Sequence, residues 1–148
     1  MSPDQIVLVR ASFHLLDQVK GQASGMFYGR LFSIAPELRS LFARTDMLQQ
    51  SGKLWAMLGR IVEMLDQPQH LMPAAEKLAR EHVAFGVEPE HYPPVGAALL
   101  WTLDQAMGAA WSDETKEAWE AAYLGLSQVM IRAAYLGGTT ETSHTQGD

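Results

Sequence analysis

"AREHVAFGVEPEHYPPVG", residues 79–96, carries a histidine in a helical pattern, stops that pattern four residues later at Gly86, and restarts through Pro89, Pro93 and Pro94. Upstream, Leu71, Ala75, Leu78, Ala79 and His82 fall on one stripe at helical spacing, so the histidine lies among apolar neighbours. Gly86 suits the end of such a helix, where a left-handed residue is needed. Two readings of His82 stay open on these residues alone. It is either a core histidine whose ring nitrogens have found partners, or a ligand.

Working outward, the same periodicity runs through nearly the whole chain. "SPDQ" reads as a capping box, with Ser2 as cap, Pro3 in the first helical position and Gln5 reaching back. Ile6, Val9, Phe13 and Leu16 then share a face, and a break at Gly21 precedes a helix carrying Phe27, Tyr28, Leu31 and Phe32. Pro36 opens the short helix "PELRSLF"; after "ARTD" a longer one bears Leu54, Met57, Leu58, Ile61 and Leu65 and ends at Pro68. The helix around His82 runs from about Leu71. Pro93 and Pro94 start another with Val95, Leu99, Leu103 and Met107, and Ser112 caps a last one with Trp119, Tyr123, Leu126, Met130 and Ala133.

No period-two run survives, so the chain is predicted to be all-α, with about seven helices of unequal length. That inequality argues against a symmetric four-helix bundle. The pattern predicts one domain over residues 1–136 and a polar, aperiodic tail over 137–148, "GGTTETSHTQGD", expected to be disordered. A chain of 148 residues is long enough to bury roughly 70% of the surface it exposes when unfolded.

Composition removes several function classes. With no cysteine there is no disulfide framework, thiolate metal site or cysteine nucleophile. A formal charge of −6 with 11 scattered Lys and Arg argues against a nucleic-acid partner. No uninterrupted apolar stretch approaches the roughly 18 residues that read as a membrane span. The N-terminus does not resemble a signal peptide, so a cytoplasmic protein without membrane partners is expected.

Four segments in order carry a resemblance. "FYGRLF" followed by "PELRSLF", then "HVAFGVEPEHYPPVG", then "EAWEAAYLGLSQVM" are similar to the B and C helices, the proximal-histidine corner and the H helix of bacterial single-domain globins and flavohaemoglobins. The likeness covers about residues 4–134. It implies a globin fold around a haem pocket, with haem b (iron protoporphyrin IX) as cofactor and His82 as the proximal iron ligand, its other ring nitrogen donating to a local carbonyl. On the opposite face the resemblance places Tyr28, Gln50 and Leu54. Gln50 and Leu54 are four apart and share a helix face, whereas a one-residue slip would promote Gln49. Phe42 resembles the phenylalanine that wedges the haem, Lys53, one turn beyond Gln50, either reaches a propionate or is freely solvated, and Tyr92 matches a tyrosine of the proximal network. The glutamate of that network is missing, because the matching position is Ala134. His14, His70 and His91 read as surface residues, and no histidine between Met47 and Trp55 could close the distal site.

The resemblance therefore implies reversible binding and transport of O₂ at a five-coordinate ferrous haem, with Tyr28 and Gln50 as donors and CO and NO as further diatomic ligands. Oxidation of nitric oxide is the alternative activity; 148 residues leave no room for flavin and nicotinamide domains, so it requires a separate reductase. A haem-based gas sensor is a third possibility. A haem-free globin fold is a fourth, against which the polar pair Tyr28 and Gln50 on apolar faces speaks. A monomer or weak homodimer is expected.

Overall fold

The computed structural model describes residues 1–137, and the expected tail lies outside the described residues from 138 onward. Among the described residues six α-helices make the fold: α1 Pro3–Leu16, α2 Lys20–Ile34, α3 Met47–Glu63, α4 Pro68–Phe85, α5 Tyr92–Met107 and α6 Asp113–Ile131. No strand occurs among the described residues, in agreement with the all-α expectation. Short 3-10 segments join the helices; "PELRSLF" is one of them, spanning Pro36–Phe42.

The helix starts follow their caps. The Ser2 capping box forms, with Gln5 N–H donating to Ser2 Oγ at 3.1 Å and Ser2 N–H to Gln5 Oε1 at 3.0 Å. Asp46, whose capping role sequence reading passed over inside "ARTD", accepts from Leu48 and Gln49 N–H at 3.0 and 3.3 Å and so starts α3. Such a cap contributes about 1 kcal/mol and, more to the point, fixes where Gln50 sits on the first turn. Ser112 caps α6 through Thr115 N–H at 3.1 Å.

Three boundaries depart from expectation. The first break falls at a 3-10 turn, Asp17–Val19, and Gly21 lies inside α2. A tertiary contact is made from this turn: Asp17 accepts from the Trp55 indole at 3.3 Å, while its 3.8 Å pair with Lys20 is local. Pro68 opens α4, because proline fits a helix's first position where its missing N–H costs nothing. Finally, α6 runs on into a π-helical segment, Arg132–Gly137, which shifts the register of everything after Ile131.

Packing divides the interior into two clusters. The larger joins α1, α2, α3, α5 and α6 through Val9, Leu16, Phe27, Leu31, Leu99 and Trp119. The Trp119 indole donates to Ser12 Oγ at 2.8 Å, and that hydroxyl donates onward to Leu8 O, so a polar pair is satisfied inside the core. The smaller cluster centres on Ala75, Ala79, Tyr92 and Met130. Here α4 packs on α6 and the π-helical segment, through two alanines small enough to let the helices approach. The buried residues of α4 belong to the second cluster and those of α3 mostly to the first.

One glycine is held by close approach. A Cβ on Gly96 would lie 2.5 Å from a ring carbon of Tyr123, whose hydroxyl donates to Tyr92 O at 2.5 Å and so pins the ring. Gly96→Ala is expected to cost about 2–3 kcal/mol in denaturant unfolding, the scale of an overpacked core. A cost near zero would mean that Tyr123 swings away freely and does not anchor α6 on α5.

Candidate functional site

His82 sits in the last turn of α4, half-buried, with Nδ1 2.8 Å from the Leu78 carbonyl oxygen. A carbonyl can only accept, so Nδ1 carries a proton, and in the neutral ring the lone pair is then on Nε2. No partner occupies Nε2 among the described residues. This is the tautomer a metal-binding histidine needs, and it is set by the helix's own backbone.

The corner beyond it is built to stop α4 there. Gly86 has φ 104°, a left-handed conformation that leaves its N–H and that of Val87 to satisfy the carbonyls of Val83 and His82 at 3.0 and 2.9 Å. His91 Nδ1 accepts from Glu88 N–H at 2.9 Å, which makes it a turn cap, while His14 and His70 are exposed. Tyr92 opens α5 beneath His82; the two rings stack with centroids 6.5 Å apart and planes 24° off parallel. Val83 and Phe85, close to His82 in sequence, keep 42% and 41% of their surface exposed.

Across the division, Tyr28 is buried on α2, edge-on to Phe27 and Phe42 at centroid distances of 4.9 and 5.5 Å. Burial pushes the Tyr28 phenol above its ordinary pKa, and Gln50, hydrogen-bonding toward it from α3, partly offsets the rise. The phenol is thus protonated at neutral pH and remains a donor. Gln50 is half-buried whereas Gln49 is exposed, which favours Gln50 as the inward residue. Leu54, one turn on, packs against the larger cluster. Phe42 spans the division, touching Tyr28 on one side and Phe85 at 5.2 Å on the other. Lys53 is exposed and makes no ion pair among the described residues, so nothing in the structure ties it to the site.

Two residues of this region escaped sequence reading. Tyr123, taken as a core residue, holds the backbone of Tyr92; Tyr135 donates its hydroxyl to Val87 O in the corner after His82. Tyr135 reaches that carbonyl from a π-helical turn, and a regular helix period carries no sign of it.

These observations define a class: an all-α protein with a half-buried histidine bonded through Nδ1 to its own helix, and a buried tyrosine toward which a glutamine of the third helix hydrogen-bonds. A family model described as Globin matches residues 25–130. The chain belongs to the globin family. It is 37% identical over 142 residues to a flavohemoprotein of Bordetella parapertussis, covering 91% of this chain and 35% of that one. Among solved structures, a bacterial globin from Campylobacter jejuni superposes with a TM-score of 0.78 at 24% identity, covering 90% of this chain and 96% of its own. An engineered carbene transferase made from a nitric oxide dioxygenase candidate of Rhodothermus marinus gives 0.82 at 27% identity, covering 96% of this chain and 99% of its own. The chain spans about a third of the length of the curated relatives it matches. Its relatives make it a globin of the flavohaemoglobin type, and membership of that family implies haem binding. No helix among the described residues is long and apolar enough to cross a membrane.

Proposed function

We propose that the chain binds haem b through His82 and holds O₂ reversibly on the side of Tyr28 and Gln50. The observation that carries this reading is the His82 ring: Nδ1 is committed to Leu78 O, so the neutral ring has Nε2 to offer a metal. The donor set fits the cofactor. One neutral nitrogen suits haem iron, whereas no group of three His, Asp or Glu that could hold a bare metal ion exists among the described residues. When bound, haem supplies an iron position open to O₂, CO or NO.

The chain's own residues do the rest. His82 anchors, and Phe42 and Leu54 keep the pocket apolar and limit its water. O₂ acquires partial negative charge on binding, and the Tyr28 hydroxyl and Gln50 amide are donors able to meet it in a site where hydrogen bonds count for more than in water. Lys53 remains the residue assigned to a propionate, and Tyr92 braces His82 from below.

The purified protein is expected to show a Soret band that moves on reduction with dithionite and again on addition of CO, marking an open coordination position. A reduced spectrum already of the six-coordinate kind, indifferent to CO, would sink the open-site reading. A second activity, oxidation of nitric oxide by the O₂-loaded protein with electrons from a separate reductase, is favoured by the flavohemoprotein relatives and the Rhodothermus neighbour. Repeated turnover of nitric oxide with a reductase and nicotinamide cofactor supports it; a single stoichiometric oxidation leaves O₂ binding as the function.

A further inference from the structure

Within the O₂-binding reading, on which it rests, we propose that Phe85, at the end of α4, is a positioning residue for the opposite side of the pocket: it props Phe42, and through Phe42 it sets the tilt of the Tyr28 ring and the aim of its hydroxyl.

The contacts form a chain of three rings. Phe85 is the last residue of α4, three after His82, so both side chains leave the same turn. Its ring meets Phe42 at 5.2 Å between centroids with planes 61° apart, and Phe42 meets Tyr28 at 5.5 Å and 66°. Both are edge contacts, in which the positive rim of one ring points toward the negative face of the other. Such contacts are directional, so a tilt of one ring is felt by the next.

Which ring holds which follows from the elements that carry them. Phe42 ends the 3-10 segment Pro36–Phe42 and lies against two rings of α2, Tyr28 and, at 5.4 Å, Phe32. Those two are four apart on one helix, so they brace Phe42 against α2 alone. Among the described residues, Phe85 is the ring that meets Phe42 from another helix. Tyr28 also touches Phe27 and Phe32, but both move with its own helix. Phe42 is therefore the ring from outside α2 that bears on the phenol.

A second tie joins the same two elements. Leu41 lies so close to Gly86 that a Cβ there would stand 3.1 Å from Leu41 Cδ2. The corner after His82 is thus fastened to the 3-10 segment at two adjacent pairs, Leu41 with Gly86 and Phe42 with Phe85. Phe85 belongs to neither core cluster and stays 41% exposed, so core burial does not account for an aromatic ring at this position. Its contact with Phe42 does. Any shift of the turn that bears His82 is passed through two ring contacts to Tyr28, which couples the two sides of the pocket.

The test uses the full-length, haem-loaded ferrous protein with Phe85→Ala and Phe85→Leu, each alone and combined with Tyr28→Phe. Stopped flow reads release of O₂ and of CO, and infrared reads the C–O stretch of the CO form. Phe85→Ala is expected to speed O₂ release about 2–12-fold, which is what one edge contact can contribute, and CO release by less than about two-fold. The C–O band should move toward its position in Tyr28→Phe, because the hydroxyl turns away from the ligand. Phe85→Leu keeps bulk without an aromatic ring; it should act in the same direction by a smaller factor, and it decides the matter if Phe85→Ala loses its fold or its haem. In the Tyr28→Phe background both substitutions should alter O₂ release by less than about two-fold, since the group they misalign is gone. Equal factors in both backgrounds, equal factors for the two gases, or no change at all overturn the proposal and assign Phe85 to packing alone. A protein without a Soret band, or Tyr28→Phe that releases O₂ as slowly as wild type, removes the underlying reading instead, and each is seen before any Phe85 variant is compared.

Discussion

His82→Ala is expected to abolish stable haem binding: the Soret band of the reconstituted protein disappears or becomes weak and broad, and added imidazole restores it in part. The magnitude follows from what is lost. Removing a hydrogen-bond partner of a metal-ligating histidine costs about 10–100-fold in affinity, so removing the ligand itself should cost more than about 100-fold. The apolar walls, Phe42, Leu54, Val83 and Phe85, would still attract a porphyrin, which is why residual and disordered binding is the expected remnant rather than none. The fold should survive. His82 is half-buried and bonded only within its own helix, so its truncation leaves no buried partner group unsatisfied beyond a helical carbonyl already in the backbone ladder. Far-ultraviolet circular dichroism should therefore match the wild type, with stability changed by about 1 kcal/mol or less. Imidazole rescue is the discriminating arm, because it replaces the ligand without the chain. A variant that keeps a sharp wild-type Soret band would mean that another residue anchors the haem.

Much of this was legible in the sequence, and the limits have physical causes. The Ser2 box, the left-handed Gly86 and the Ser112 cap are local: each is decided within four residues, and each formed. The apolar stripe placed His82 on the inner side of α4, yet periodicity could not say which of its nitrogens was free. That depended on a rotamer reaching Leu78 O one turn back. Contacts far apart in sequence were out of reach: Asp17 meets Trp55 from the turn that stands in place of a break at Gly21, and Tyr123 with Gly96 explains a glycine that no turn requires. Spacing to Leu54 already ranked Gln50 above Gln49, and with the helix starting at the Asp46 cap Gln50 is half-buried while Gln49 is exposed. Ala134 and Tyr135 follow the change to π-helical winding, where counting residues from a regular helix misplaces side chains.

Tyr28→Phe is expected to speed release of O₂ from the ferrous protein by about 10–150-fold while changing CO release far less. Hydrogen bonds to a charged or partly charged group contribute about 1.5–3 kcal/mol, and each 1.4 kcal/mol corresponds to tenfold, which sets that range. CO acquires little negative charge when bound, so the contrast between the two gases separates loss of a hydrogen bond from a general opening of the pocket. The phenyl ring that remains keeps the edge contacts with Phe27 and Phe42, so the cavity's shape should hold. Gln50→Leu removes the second donor, and its effect depends on the first. Because Gln50 hydrogen-bonds toward the Tyr28 phenol, it both faces the ligand and orients the tyrosine. The double variant should therefore cost less than the product of the single effects, as expected of partners in one network. Stopped-flow displacement of O₂ by CO in the four proteins measures this directly. Release unchanged in Tyr28→Phe would place the stabilising donor elsewhere, and strictly multiplicative effects would show that Tyr28 and Gln50 act on the ligand independently of each other.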